Sequence, residues 1–334
     1  MIWGAVNARA RGLATHLLRR GALDALARAP DVSSLAGELA RLGYPVPDGA
    51  GPAAIDLAVR RHAARELATF ARWCADQPEL VTVVFEDEDR RSLRALVRGA
   101  LQRAAPDERL AGLIPTPALP ERALQELARQ PEPTAIATLL VAWGHPYGTA
   151  LLPDARGAQP DLLHLEQRLN HTFAERALAA GRRGGAALLD YVQDLADVEN
   201  AFAAVALAGR TDDVTPKDLY LAGGRRLSIG DFERAVSAGV PDVAAQQIAP
   251  AFTGTRLAAA FAGSAARAGR LEQDVLRARI AALRDQAMHD PLGPAPALRF
   301  ALALRAQVRD LQRIVWGVAL AAPRATVVAG LVTA

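Results

Sequence analysis

Cysteine is almost absent from this chain: Cys74 stands alone among 334 residues. One thiol excludes an internal disulfide and a thiolate metal cluster, and it fits a reducing compartment. Lysine is equally scarce, with Lys217 the single example, so nearly all cationic charge is arginine. Aromatic residues make up only 5%. Strands draw on aromatic and β-branched side chains, so an apolar fraction of 51% built mainly from Ala, Leu and Val points to closely packed helices. Long apolar runs are missing too. The N-terminal stretch carries Arg9 and Arg11 and does not read as a signal peptide, and the stretch from Ile314 to Ala334 is broken by Pro323 and Arg324. Neither offers the ~20 continuous apolar residues of a membrane span. The net charge is only +3 and no block of five or six cations occurs, which argues against a nucleic-acid footprint.

What is present is helical periodicity. In "LEQRLNHTFAERALAA" (165–180), Leu165, Leu169, Phe173 and Leu178 fall near one face with charges opposite, and "LPERALQELARQ" (119–130) and "LSIGDFERAVSAG" (227–239) share that character. Pro- and Gly-rich stretches at 44–52, 129–134, 144–160 and 289–296 read as connections. The most strand-like run, "ELVTVVFED" (79–87), leads straight into a helical pattern, so the chain is expected to be all-α. An internal repeat underlies it. "RRSLRALVRGAL" (90–101) aligns with "VENAFAAVALAG" (198–209) and with "VRDLQRIVWG" (308–317). Keeping the first displacement puts Leu221 on Leu113, Leu227 on Leu119 and Phe232 on Leu124. These matches predict one domain over 1–334 made of three similar helical repeats, roughly 1–130, 131–239 and 240–334.

One stretch invites a chemical reading. In "YLAGGRRLS" (220–228), Gly223 and Gly224 precede Arg225 and Arg226, and a glycine turn beside cations is a ready cradle for a phosphate. The first repeat has "LIPTPAL" (113–119) at that place, where a structural turn survives and an anion cradle does not. No Gly-Lys-Ser/Thr follows the glycines either. The stretch therefore reads as a turn between helices, with one glycine at positive φ and Ser228 capping the next helix. The acidic run Glu86-Asp87-Glu88-Asp89 reads as a solvated face or an acidic first helical turn before it reads as a cation site. The six histidines form no metal-binding pair, His145-Pro146-Tyr147-Gly148 reads as a turn, and nothing around Cys74 suggests a nucleophile. No catalytic residue, cofactor or metal is expected.

Five segments together resemble the C subunits of archaeal and bacterial A/V-type ATPases, which are relatives of the d subunits of eukaryotic V-ATPases. They are "NARARGLATHLL" (7–18) with Asn7, Arg9 and Arg11, "GHPYGTALL" (144–152), "LLDYVQDLADVENAFAAVALAG" (188–209) with Asp197 and Asn200, "LYLAGGRRLS" (219–228) with Gly223 and Gly224, and "DPLGPAPALRFALALRAQVRDLQRIVWG" (290–317) with Asp290 and Arg309. The likeness runs in order from about residue 5 to 331. The chain departs from the family pattern at Asp89…Ser92 in the first repeat, at Gln307 and Asp310 in the third, and at Ala201. The resemblance implies a funnel of three helical units about a pseudo-threefold axis. It implies a non-enzymatic rotor subunit, peripheral on the cytoplasmic side of a membrane, whose partners are the rotor-ring proteolipid and central-stalk subunits. Its task would be to transmit torque during ion transport coupled to ATP. The alternative is a helical-repeat adaptor of the same fold that no longer works in an ATPase. Asn7, Arg9, Arg11, Asp89, Asp197, Asn200, Gly223, Gly224, Asp290 and Arg309 are the candidate joint or interface residues.

Overall fold

The computed structural model describes residues 3–157, 160–210, 215–263 and 270–333, and among them the regular structure is entirely helical. The first third holds α1 (Gly4–Ala14), α2 (Arg20–Leu26), α3 (Val32–Arg41), α4 (Pro52–Trp73), α5 (Pro78–Leu101), α6 (Pro106–Leu110) and α7 (Glu121–Ala128). The middle holds α8 (Pro133–Ala142), α9 (Pro146–Ala155), α10 (Leu162–Gly184), α11 (Ala186–Leu207), α12 (Pro216–Leu219) and α13 (Ile229–Val236). The last third holds α14 (Pro241–Ile248), α15 (Arg256–Gly263), α16 (Leu271–His289), α17 (Ala295–Ala319) and α18 (Arg324–Ala329), with a short 3₁₀ turn between α14 and α15.

Proline starts helices here more than it breaks them. α4, α5, α6, α8, α9, α12 and α14 each have Pro as their first residue, where its missing N–H costs nothing and its fixed φ suits the helix. This corrects the expectation that 144–160 is a connection and His145–Gly148 a turn. His145 is the residue before α9, and its ring accepts a hydrogen bond from the Tyr147 backbone N–H. The strand-like run at 79–87 is the first half of α5, because Pro78 starts a helix whose apolar residues are buried on several sides. Other helix starts follow the usual side-chain rules. Asp31 and Asp161 accept backbone N–H groups of α3 and α10, and Ser228 with Asp231 forms a capping box on α13.

Six long helices carry the architecture. α10 lies along α5 and also packs on α11, while α17 lies along α4 and packs on α16. Shorter helices fill in beside them: α8 against α5, α14 against α11, and α1, α2 and α3 against α17. Two apolar cores result. One runs through α1–α10, the first part of α11 and α16–α18. The other gathers Val198, Leu207, Phe232, Phe252, Phe261 and Val275 from α11, the short helices after it and the start of α16.

The tightest helix pairing is that of α8 with α9. A Cβ at Gly148 would stand 2.5 Å from the Val141 backbone nitrogen and 2.7 Å from the Leu140 carbonyl carbon, so the two backbones touch through the glycine. Gly148→Ala is expected to push α9 away from α8 and destabilise the fold by about 1–3 kcal/mol. Urea unfolding of the variant beside the parent chain measures this.

Candidate functional site

The long helices meet around one arginine. Arg90, in the middle of α5, is 0% exposed. Its guanidinium donates to Asp87 Oδ1 at 2.7 Å on its own helix, to Asn170 Oδ1 at 2.6 Å on α10, and to Glu199 Oε1 at 2.8 Å on α11. It also sits 4.7 Å from the ring centre of Phe173 on α10. Arg305 brings in α17, donating to Asp87 at 2.9 Å and to Glu88 at 2.6 Å. Around this centre Arg94 reaches Glu166 at 3.0 Å and Glu199 at 3.5 Å, Arg98 reaches Glu166, and Arg176 reaches Glu86. Four long helices are thereby joined by ionised side chains.

Burial disfavours charge on each of these groups, and the partners decide the outcome. Burial alone would raise the Glu199 carboxyl, yet Arg90, Arg94 and Arg91 bring it down to about 2. Burial opposes ionisation of Asp87 as well, and Arg91, Arg305 and Arg90 outweigh it, holding that carboxyl well below its ordinary range. The acidic run is therefore neither a solvated face nor a first helical turn, which corrects the sequence expectation. Glu86, Asp87, Glu88 and Asp89 lie mid-helix in α5 and are all buried. Arg90, Glu199 and Arg305 were missed. The available signal was four acids followed by two arginines inside a helix with Val83, Val84 and Phe85 before them and Leu93, Leu96 and Val97 after.

The predicted Asp and Asn positions form a second layer of polar contacts, each pinning a returning loop. Asp197 accepts the backbone N–H groups of Arg225 and Arg226, both at 2.9 Å, and of Leu227 at 3.1 Å. Asn200 holds Leu221 from both sides, accepting its N–H at 2.7 Å and donating to its carbonyl at 2.9 Å. The glycine turn of 223–224 is thus an anion cradle after all, and its anion is the chain's own Asp197. Gly223 has φ 103°, and a Cβ on Gly224 would collide with Asp197 Oδ1. The two following arginines pair with Asp194, Arg225 at 2.9 Å and Arg226 at 3.1 Å.

Polar side chains on α5 and α17 hold other returning segments with different chemistry. Asp89 accepts the Thr116 hydroxyl, which in turn accepts the Leu119 N–H at 3.0 Å, while the Ser92 hydroxyl is buried without a partner. Gln307 accepts the Leu18 N–H and donates to the Tyr44 hydroxyl at 2.8 Å. Asp310 accepts the Val332 N–H at 2.6 Å and the Thr333 N–H at 2.8 Å. Among the remaining candidates, Asn7 is buried and donates to the carbonyls of Pro291 and Gly293, at 3.0 and 2.8 Å, fastening α1 to the turn before α17. Asp290 organises that turn by accepting the Leu292 N–H at 3.2 Å. Arg9 donates to the Trp73 carbonyl at the end of α4. Arg11 and Arg309 lie on the surface, Arg309 3.4 Å from Glu272. The structure does not gather the ten candidates into one site: Asp197, Asn200, Gly223 and Gly224 form one cluster, Asn7 and Asp290 another, and the rest stand apart.

The family model described as ATP synthase (C/AC39) subunit matches residues 6–328. No curated protein matches the chain.

The two aspartates of this layer are expected to respond differently to substitution. Asp197→Ala leaves three backbone N–H groups without an acceptor, that of Leu227 buried and those of Arg225 and Arg226 part-buried, and is expected to cost about 1–3 kcal/mol, whereas Asp194→Asn at the more exposed rim should cost under about 1 kcal/mol. Asp89 differs because burial, with Glu86 and Glu88 nearby, pushes its carboxyl up to about 7. The folded chain then keeps a proton that the unfolded chain releases near 4, so this group stabilises the fold at low pH and the contribution is lost as pH rises through about 7. Asp89→Asn keeps an acceptor for Thr116 and is expected to flatten that slope, leaving the variant more stable than the parent at alkaline pH by about 1–3 kcal/mol. Urea unfolding across the pH range reads both effects, and an Asp89→Asn variant that is less stable than the parent under alkaline conditions contradicts the assignment.

Proposed function

Because this chain belongs to the ATP synthase (C/AC39) subunit family, we propose that it is the rotor subunit seating the soluble central stalk of a V/A-type ATPase on the membrane-embedded rotor ring. Membership makes it a non-catalytic ATPase subunit, associated with other subunits of the complex. The family match over residues 6–328 is the observation that carries the proposal. The finer role rests on mechanical suitability. A spacer between two partners has to carry torque without chemistry of its own, and rigid helices cross-linked by buried ion pairs suit that task.

In this reading the chain consists of three repeats, about 1–130, 131–239 and 240–334, set around a pseudo-threefold axis as a funnel. Each unit contributes a lead-in of short helices, two long helices and a return. Such an arrangement accounts for the way each lead-in lies on the second long helix of the unit before it: α8 on α5, α14 on α11, and α1 on α17 to close the ring. It also accounts for the recurrence of a buried polar clamp at Asp89, Asp197 and Asp310. The subunit sits peripherally on the cytoplasmic side and touches the membrane through its partners; among the described residues no helix is long and apolar enough to cross one.

The test is isolation of the tagged protein from its native membranes in mild detergent, followed by identification of what accompanies it. The expected companions are the rotor-ring proteolipid and the central-stalk subunits. Recovery of neither, from membranes with an intact ATPase, refutes the rotor role and leaves a helical adaptor of the same fold.

A further inference from the structure

A groove of about 860 Å³ lies between α1 with the 15–21 segment on one side and α16 on the other, with α17 beneath. It follows α16 from Arg277 to Ala287, ten residues or about 15 Å of helix. Its floor is apolar: Ala10, Phe300 and Ala306 are buried there, and Ile280, Ala281 and Ala303 are half-buried. Arg11, Arg19, Arg20, Arg277, Arg284 and Arg299 surround it, and among the described residues no carboxylate lines it.

Two of these arginines are already engaged. Arg20 pairs with Asp24 and donates to the Val328 and Thr333 carbonyls, and Arg277 pairs with Asp274 and donates to the Leu331 carbonyl. Arg284 stands 3.8 Å from Asp285. Arg11, Arg19 and Arg299 are exposed, and their guanidinium groups make no hydrogen bond or ion pair among the described residues. The one polar side chain of the floor, Gln307, is occupied by Leu18 and Tyr44. The groove therefore combines an apolar trough with uncompensated cations at its mouth.

We propose that this groove binds an anionic phospholipid, with an acyl chain along the α16–α17 floor and the phosphate among Arg11, Arg19 and Arg299. The volume falls in the range of small-ligand sites, roughly 300–1,000 Å³. A free polar anion would leave the apolar floor uncovered. Guanidinium groups suit a phosphate, which offers several oxygens to planar multi-donor heads, better than the single carboxylate of a fatty acid. This inference goes beyond the rotor reading, and its flotation and adduct readouts use only the purified chain and lipid, so either can fail without the other.

The experiment is flotation of the full-length chain with phosphatidylcholine vesicles, with or without about a third phosphatidylglycerol, the latter including a probe bearing a photoactivatable acyl chain. Preferential flotation with the anionic vesicles is expected, together with acyl adducts on residues 280–287 or 299–306. The double variant Arg11→Glu, Arg299→Glu should lower that binding roughly tenfold. Ala281→Trp fills the floor while leaving every arginine, and should remove the acyl adducts; unfolding curves establish that both variants remain folded. Equal flotation on neutral vesicles, no flotation on either, or adducts lying outside the groove overturns the proposal. So do adducts that persist in Ala281→Trp, which would mean surface attachment by charge, and full displacement by inorganic phosphate, which would mean a free-anion site. A groove from which position 299 cross-links to another protein of the native membrane, with no lipid adduct, belongs to a protein partner and overturns it equally.

Discussion

The rest of the structure hangs on the burial of Arg90. A guanidinium in an apolar interior is tolerable only when carboxylates and acceptors surround it, because an unpaired charge there costs several kcal/mol. Its partners come from α5, α10 and α11, and through Asp87 the network extends to Arg305 on α17. These helices cannot slide past one another without stranding a charge. Apolar packing alone is permissive about register, since one Leu replaces another with little penalty. The ion network supplies the directionality that an Ala- and Leu-rich interior lacks. The positions that the proposed repeat aligns with Arg90 are Val198 and Val308, and both are buried.

A second constraint is the satisfaction of loop backbone. Each long stretch that returns after α5, α11 or α17 brings N–H groups into the interior, where they need acceptors. The chain supplies them from side chains on those same helices, using Asp89 through Thr116, Asp197 with Asn200, and Asp310. The geometry tolerates exchange of chemistry. Asn200 both accepts and donates at Leu221, Asp310 only accepts at Val332 and Thr333, and Ser92 does neither. Such exchange explains how the residues drift from the family pattern while the architecture holds. The clamp matters, and its chemistry can vary with the loop it holds.

The apolar interior is less uniform than the repeat suggests. One core includes the first and last thirds and reaches into α10 and α11, while α11's second half, α13, α14 and α15 gather around Phe232, Phe252 and Phe261. Between α11 and α16 lies a cavity of about 320 Å³, and Arg279 crosses it to donate to the Tyr191 hydroxyl at 2.9 Å. The long-helix contacts on the other two sides are close-packed, α5 with α10 and α17 with α4.

The sequence by itself determined the helical class and placed helices such as α7, α10 and α13. These depend on local propensity and on apolar spacing, which are written residue by residue. It also singled out Gly223, Gly224, Asp197 and Asn200 by their likeness to a family's motifs, and left their contacts with one another to the fold. Only the tertiary structure decided what the charges do. Glu86 to Asp89 look like a solvated run when read along the chain, since their partners Thr116, Arg176 and Arg305 come from elsewhere in the sequence. Likewise Pro146 looks like a break until the packing of α9 on α8 shows it as a helix start. Two glycines read as a turn along the chain, and only the fold shows that the backbone N–H groups after them meet the Asp197 carboxylate on another helix.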